Sequence, residues 1–379
     1  MTVRCSMFKL LHLKLRLNLQ LKLCVKVKSS EYTRSETMGI PAKQKVRIGA
    51  HIIKQLLLGH QRFPLVLMIE PLFRCNLRCR GCGKIAYPEE TLNRQLSVEE
   101  CLSASKECPA PVVSIAGGEP LLHTDIPRIV QKLVAHKKFV YLCTNALLAA
   151  NRIDEFQPSQ YLAFNVHLDG LEERHDAMVG REGVFQHAVT TIRLLIKRGF
   201  RVTTNTTLYA DETPESAARL FDFLTSIGVE GMTVAPGFCY PDAPDQENFL
   251  NRKTTRVLFQ KLFEIGRGRK WRFNHSSLYL DFLAGHQNYE CAPWGNPTRN
   301  IFGWQRPCYL INDSFAATYK ELVDTTKWHR YGVDKDPRCI NCMVHCGFEP
   351  TAVMDLVTHP WKMVYSGKRN QSHLAKHSV

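Results

Sequence analysis

From Phe63 onward, short apolar runs alternate with stretches of helical periodicity. Val66–Phe73, Val112–Ala116, Phe139–Thr144, Tyr161–Leu168, Val202–Leu208 and Met232–Ala235 have the length and character of buried strands. Helix patterns with start and stop signals lie between them. Ser97 with Glu100 makes a capping box before VEECLSASKE. Thr124 precedes Asp125 and Pro127, and Thr213 precedes Pro214, a favoured first helical residue. VFQHAVTTIRLLIKRG ends in basic residues and Gly199, as a helix C-terminus does. Such alternation predicts parallel strands joined by crossover helices. Six units make the expected fold α/β, a partial (β/α)6 TIM-type barrel, followed by a cysteine-rich C-terminal module.

The first residues follow a different pattern. LHLKLRLNLQLKLCVKVK alternates apolar and polar with period two from Leu11 to Lys28, a strand pattern. It lacks the uninterrupted apolar core of a signal peptide. Translation is expected to begin at Met38, with an upstream start as the origin of residues 1–37. The rival is a genuine basic amphipathic extension that touches membrane. The expected organisation is residues 1–37, basic extension; 38–62, amphipathic segment; 63–270, partial barrel; 271–355, cysteine-rich module; 356–379, tail. Within 38–62, KQKVRIGAHIIKQLLLGHQRF places Val46, Ile53, Leu56 and Leu57 on an apolar stripe among basic residues. That fits either an interfacial helix or one packed on the barrel.

The chain's 379 residues suffice for one large domain and a smaller module, and 44% hydrophobic residues is ordinary for a globular protein. No run of about 18 apolar residues occurs, so no transmembrane helix is expected. The net charge of +15 suggests anionic partners. Residues 1–37 hold eight Lys/Arg and two Glu, +6, and the remainder 42 basic and 33 acidic residues, +9. Fourteen cysteines without a secretory signal read as metal ligands in a reducing, cytoplasmic compartment, with peripheral contact on the inner membrane face if the basic helix is interfacial.

EPLFRCNLRCRGCGK follows the first strand and carries Cys75, Cys79 and Cys82 as C-x3-C-x2-C. In α/β barrels the chemistry gathers at the C-terminal strand ends, where this loop falls. Fe–S clusters held by cysteine usually take four thiolates. Three on one short loop can hold a [4Fe–4S] cluster with one iron left open, as catalytic zinc sites keep one position open. A zinc loop with a distant fourth ligand is the competing reading. The spacing resembles the radical S-adenosylmethionine (SAM) superfamily. The resemblance implies that the open iron chelates the amino and carboxylate groups of SAM. One electron then cleaves SAM to methionine and a 5′-deoxyadenosyl radical. The family usually carries an aromatic residue before the third cysteine, near the adenine. Here that position is Gly81, so adenine packing must come from elsewhere.

Gly117-Gly118-Glu119-Pro120 follows the second strand. Two glycines let backbone approach a ligand closely, and Glu119 can accept hydrogen bonds from an ammonium group. In the superfamily a GGEP segment here contacts the SAM amino group; alone it also suits a turn. Asn145 and Asp169 stand at barrel-mouth positions where they could hold ribose or carboxylate atoms of SAM, or simply cap turns. His167 alternates with Asp169 and shares its direction, and Asn205 is a weaker case. Cys143 closes the run FVYLC. A buried free cysteine is ordinarily a small hydrophobe. The functional alternative is a hydrogen-atom donor, since a thiol S–H bond is weak enough to quench a carbon radical. Cys101 and Cys108 lie on and just after the first helix candidate, away from the mouth, and Cys239 is a weaker rival.

Beyond the barrel, Cys291 and Cys308 flank Gly303, and Cys339, Cys342 and Cys346 form C-x2-C-x3-C. The first pattern resembles the auxiliary-cluster domains appended to many radical SAM enzymes. These five suit a second Fe–S cluster or structural zinc, and a module without metal stays open as a third reading. His345 could add a ligand, but a histidine of the core or surface is the plainer reading.

Longer strings sharpen the resemblance. RFPLVLMIEPLFRCNLRCRGCGK, PVVSIAGGEPLLH, FVYLCTNALL, LDFLAGHQNYECAPWGNPTRN, FGWQRPCYL and CINCMVHCGFEPTAV, spread from about Lys43 to Val353, resemble the adenosylhopane synthases of hopanoid biosynthesis. That resemblance implies addition of the deoxyadenosyl radical to the exocyclic alkene of diploptene. Hydrogen transfer, with Cys143 as candidate donor, then completes adenosylhopane. SAM is consumed as co-substrate. It implies as partners a hydrophobic hopene and an electron donor such as flavodoxin or ferredoxin, and no nucleic acid. Trp271, Phe273, Tyr279, Phe282, Trp294, Phe302, Trp304 and Tyr309 could line an apolar pocket, or serve as ordinary core. Two rivals remain: a radical SAM peptide-modifying maturase with an auxiliary cluster, and a basic zinc protein that binds nucleic acid. The latter leaves GGEP unexplained and lacks zinc-finger spacing with paired histidines.

Overall fold

In the computed structural model, which describes residues 39–239 and 243–362, all six apolar runs are strands. They are β1 (Val66–Ile69), β2 (Val112–Ile115), β3 (Phe139–Thr144), β4 (Leu162–His167), β5 (Arg201–Leu208) and β6 (Gly231–Pro236). Neighbours pair in parallel in chain order. The helices that cover them include α1 (Ala42–Leu57), α2 (Val98–Glu107), α3 (Ile126–Ala135), α4 (Glu172–Val179), α5 (Val184–Lys197) and α6 (Pro214–Ser226). This is the expected open parallel sheet of a partial barrel. β1 stops at Ile69, short of the expected Phe73, because Pro71 has no amide to donate to a neighbour.

The capping box at α2 forms as read, with Ser97 accepting from Glu100 N at 3.1 Å. Thr213 accepts from Ser216 N at 3.1 Å and starts α6. Asp125 precedes α3 without a side-chain cap bond, so Pro127 carries that start. Gly199 turns the chain after α5 with φ +81°, which costs a glycine little. Leu67, Ile69, Val113, Ile115, Leu142 and Phe164 are fully buried between sheet and helices. Burial of each such side chain stabilises the fold by roughly 1.5–3 kcal/mol.

Three strands were not anticipated. β7 (Thr298–Asn300) pairs in parallel with β1, and β8 (Gly303–Pro307) and β9 (Asn312–Ala316) follow antiparallel. Among the described residues the sheet therefore has nine strands, ordered β6-β5-β4-β3-β2-β1-β7-β8-β9. The residues TRN, GWQRP and NDSFA carry no apolar alternation, so periodicity could not find them. They cover the edge of β1 and fasten the C-terminal region to the barrel. That region also contains α7 (Arg252–Ile265), α8 (Ser277–Leu283), α9 (Tyr319–Thr325) and α10 (His345–Thr358).

α1 packs differently from its expected stripe. Gln44, Ile52 and Gln55 are buried and Ile48 half-buried, while Val46, Leu57 and Leu58 are exposed. Gln44 turns inward because its Oε1 accepts from Tyr141 Oη of β3 at 3.0 Å. Residues 1–37 and most of the tail lie outside the described residues. No helix among the described residues is long and apolar enough to cross a membrane.

Candidate active site

The cysteine loop leaves β1 at the C-terminal face, and Cys75, Cys79 and Cys82 line one cavity of about 460 Å³. Gly117, Gly118, Glu119, Cys143, Asn145, His167 and Asn205 line the same cavity. The candidates read from five separate segments therefore meet, and Asp169 alone of the main set stands behind the wall.

The two glycines of GGEP approach the chain's own backbone. A Cβ on Gly118 would lie 2.1 Å from Arg74 O, and one on Gly117 would lie 2.4 Å from Leu72 O. Gly118 N donates to Leu72 O at 3.0 Å and Glu119 N to Arg74 O at 2.9 Å. The pair thus clamps the segment entering the cysteine loop. Beyond Cys82, Lys84 lies 3.1 Å from the fully buried Glu70 and ties the end of the loop to the end of β1. Sequence reading missed that pair; two opposite charges bracketing the cysteines were the available signal.

Glu119 is buried and already accepts three hydrogen bonds. Oε1 takes Leu121 N at 3.1 Å and Thr144 Oγ1 at 2.8 Å, and Oε2 takes Asn145 N at 2.8 Å. A carboxylate offers about four acceptor positions, so one remains for an amino group. Burial pushes the carboxyl up to about 7, against the pull of its hydrogen bonds. If the remaining position receives the amino group of SAM, only the ionised form can accept it, and SAM affinity is then expected to fall as pH drops through about 7. The limit is about tenfold per pH unit. Calorimetric titration of the reconstituted protein between pH 6 and pH 8 checks this, and Glu119→Gln should flatten the profile. Asn145 also supports the loop: Nδ2 donates to Asn76 Oδ1 at 2.7 Å, and Oδ1 caps Leu147 N at 3.1 Å.

Inside the barrel, Cys143 Sγ lies 3.5 Å from Ser114 Oγ and accepts from Asn165 Nδ2 at 3.6 Å. Burial pushes its thiol up, so it stays protonated near neutral pH. Cys101 and Cys108 are buried in the core, and Cys239 is exposed. Asp169 is 2% exposed and lies behind His167, with Oδ2 2.8 Å from His167 Nε2. Its Oδ1 accepts from Thr207 N at 2.7 Å. Burial opposes the charged imidazole, but the Asp169 carboxylate outweighs it and His167 is pushed up. Asp169 therefore orients His167, which faces the cavity.

The C-terminal cysteines also converge. Cys291, Cys308, Cys339, Cys342 and Cys346 line a second, apolar cavity with Phe238, Leu310 and Phe348. Cys346, Phe238 and Leu310 border both cavities. Burial raises the Cys75 thiol to about 11 and the Cys342 thiol to about 12. Buried thiols grouped this way ionise only against strong positive charge, which suits iron. No group of three or more His, Cys, Asp or Glu side chains among the described residues is drawn together around a single ion. Zinc would demand four donors, sulfur at about 2.3 Å. Each cysteine on an Fe–S cubane bonds a different iron, so thiols lining a cavity are the donors such a cluster takes.

The comparisons agree with this geometry. The radical SAM superfamily model matches residues 69–224, and a domain of unknown function, DUF3463, matches residues 232–366. A probable GTP 3′,8-cyclase of Methanococcus maripaludis is 25% identical over 284 residues, covering 71% of this chain and 91% of that protein. GTP 3′,8-cyclase 1 of Mycobacterium tuberculosis is 30% identical over 180 residues, 43% of this chain and 49% of that one. Streptococcus suis SuiB bound to its precursor peptide SuiA shares the fold at TM-score 0.61 and 18% identity, over 93% of this chain and 86% of that one. The superfamily uses a [4Fe–4S] cluster and SAM. Residues 69–224 form a radical SAM domain.

Proposed function

We propose that this radical SAM enzyme joins the adenosyl group of SAM to the alkene of a hopene, diploptene, and so forms adenosylhopane. One observation carries the reading. Away from the cysteine loop the cavity wall carries apolar side chains such as Ile40, Ile48, Leu65, Met68, Pro350 and Val353, beside polar ones such as Gln44, Asn205, Asn274 and Asn296. Among the described residues its only Lys or Arg is Lys84, which Glu70 neutralises. Such a wall suits a hydrocarbon, and its volume lies in the range of small-molecule sites.

Cys75, Cys79 and Cys82 would hold the cluster, and Gly117, Gly118, Glu119, Asn145 and His167 would surround SAM. Asp169 would act through His167. When bound, the cluster and SAM would supply a 5′-deoxyadenosyl radical by one-electron cleavage of SAM. The barrel's own task is to hold the alkene away from water. Cys143 then gives its sulfur-bound hydrogen to the substrate carbon left with an unpaired electron. Ser114 and Asn165 hold that sulfur in place. An external donor of the flavodoxin or ferredoxin class returns the electron that the thiyl sulfur lacks, and solvent returns the proton. The five C-terminal cysteines would hold a second cluster.

A peptide-modifying maturase is the second reading, favoured by the fold shared with SuiB over most of the chain. A maturase that abstracts hydrogen releases 5′-deoxyadenosine, whereas addition retains the adenosyl group in the product. Reaction with SAM, reductant and diploptene, followed by mass spectrometry, separates them. The GTP of the cyclases' name has less support, because a triphosphate calls for several cationic side chains.

A further inference from the structure

The residue before the third cysteine is glycine, and an aromatic side chain from elsewhere in the barrel fills the space beside it. Tyr209 directly follows β5 and is 7% exposed. A Cβ added to Gly81 would lie 2.1 Å from Tyr209 Oη and 2.7 Å from its Cζ. Any side chain at 81 would therefore displace the tyrosine. The ring is also wedged on another side. A Cβ on Gly237 would lie 3.0 Å from Tyr209 Cδ1, and Phe249 packs at 5.9 Å between ring centroids. Tyr209 nonetheless lines the large cavity together with Gly81, Cys79 and Cys82. A rigidly held ring thus borders both the cysteine loop and the space open to a ligand.

We infer that Tyr209 is the stacking platform for the adenine of SAM, replacing in space the aromatic residue absent at position 81, and that Gly81 is small in order to admit it. Physical complementarity supports the assignment. A nucleobase gains most from a flat, preordered π-face. The packing around Gly81, Gly237 and Phe249 fixes this ring before any ligand arrives, which lowers the entropic cost of binding. Tyr209 is a binding residue in this account and takes no part in bond making. The inference rests on SAM binding at the cluster held by Cys75, Cys79 and Cys82.

The test uses the reconstituted full-length holoenzyme, with iron and sulfide content measured for every variant. Calorimetry gives affinities for SAM and for methionine, which lacks the base. Tyr209→Phe should bind SAM within about threefold of the wild type. Tyr209→Leu should bind SAM roughly 5- to 150-fold more weakly, the range for loss of one base–aromatic stack. Its methionine affinity should stay unchanged. Equal SAM affinity in a cluster-loaded Tyr209→Leu variant would overturn the inference. Failure of the wild type itself to bind SAM would instead refute the cluster reading beneath it. Should the leucine variant lose its cluster, a crystal structure of the wild-type holoenzyme with S-adenosylhomocysteine decides. Adenine against the Tyr209 ring supports the assignment, and adenine placed elsewhere overturns it.

Discussion

Alanine at Cys79 should reduce SAM cleavage to background and lower bound iron from about eight to about four atoms per chain, the content of one cluster out of two. Cys79 is the middle cysteine of the trio and burial pushes its thiol upward, with the neighbouring Cys82 adding to the effect. Removing it leaves two loop cysteines, too few to retain an open-site cluster. The C-terminal cavity is lined by five other cysteines, so the second cluster proposed there should be retained. Cys75→Ala and Cys82→Ala should behave alike. Unchanged iron in all three variants, or retained cleavage, would remove these cysteines from the chemistry. Iron analysis and 5′-deoxyadenosine or adduct quantification read both outcomes.

Changing Cys143 to alanine should separate SAM consumption from product completion. SAM cleavage should persist, since this sulfur lies in the barrel among Ser114 and Asn165, on strands separate from the cysteine loop. The saturated adduct should fall at least tenfold, with diverted products in its place. In the proposed reaction its protonated thiol would supply the hydrogen atom, and an alanine methyl C–H bond is too strong to do so. Cys143→Ser makes a second check, because an O–H bond is also too strong while the side chain's size is nearly kept. Unchanged adduct yield in both variants would exclude Cys143 as donor.

Much of this site was legible before the fold. Apolar runs located six strands within a few residues, since a buried parallel strand advertises itself by composition. The loop order then placed Cys75, Gly118, Cys143 and Asn145 toward one mouth. What the sequence could not give was depth. Asp169 and His167 alternate along the chain, yet a strand that ends between them turns one toward the cavity and the other behind it. Tyr209 carried no motif, and the role inferred for it rests on contact with Gly81, 128 positions away in the numbering. The glycines of GGEP read as room for a ligand; they line the cavity and also pack closely against Leu72 and Arg74 backbone, a second use that periodicity cannot show. β7, β8 and β9 were hidden because their pairing with the rest of the sheet is set by tertiary contacts and not by alternation.

The most direct test of the central claim is anaerobic turnover of the reconstituted protein with SAM, a low-potential reductant and diploptene, analysed by mass spectrometry. The account predicts a product with the mass of the hopene plus one adenosyl group and one hydrogen. Stoichiometric 5′-deoxyadenosine with no such adduct would contradict it.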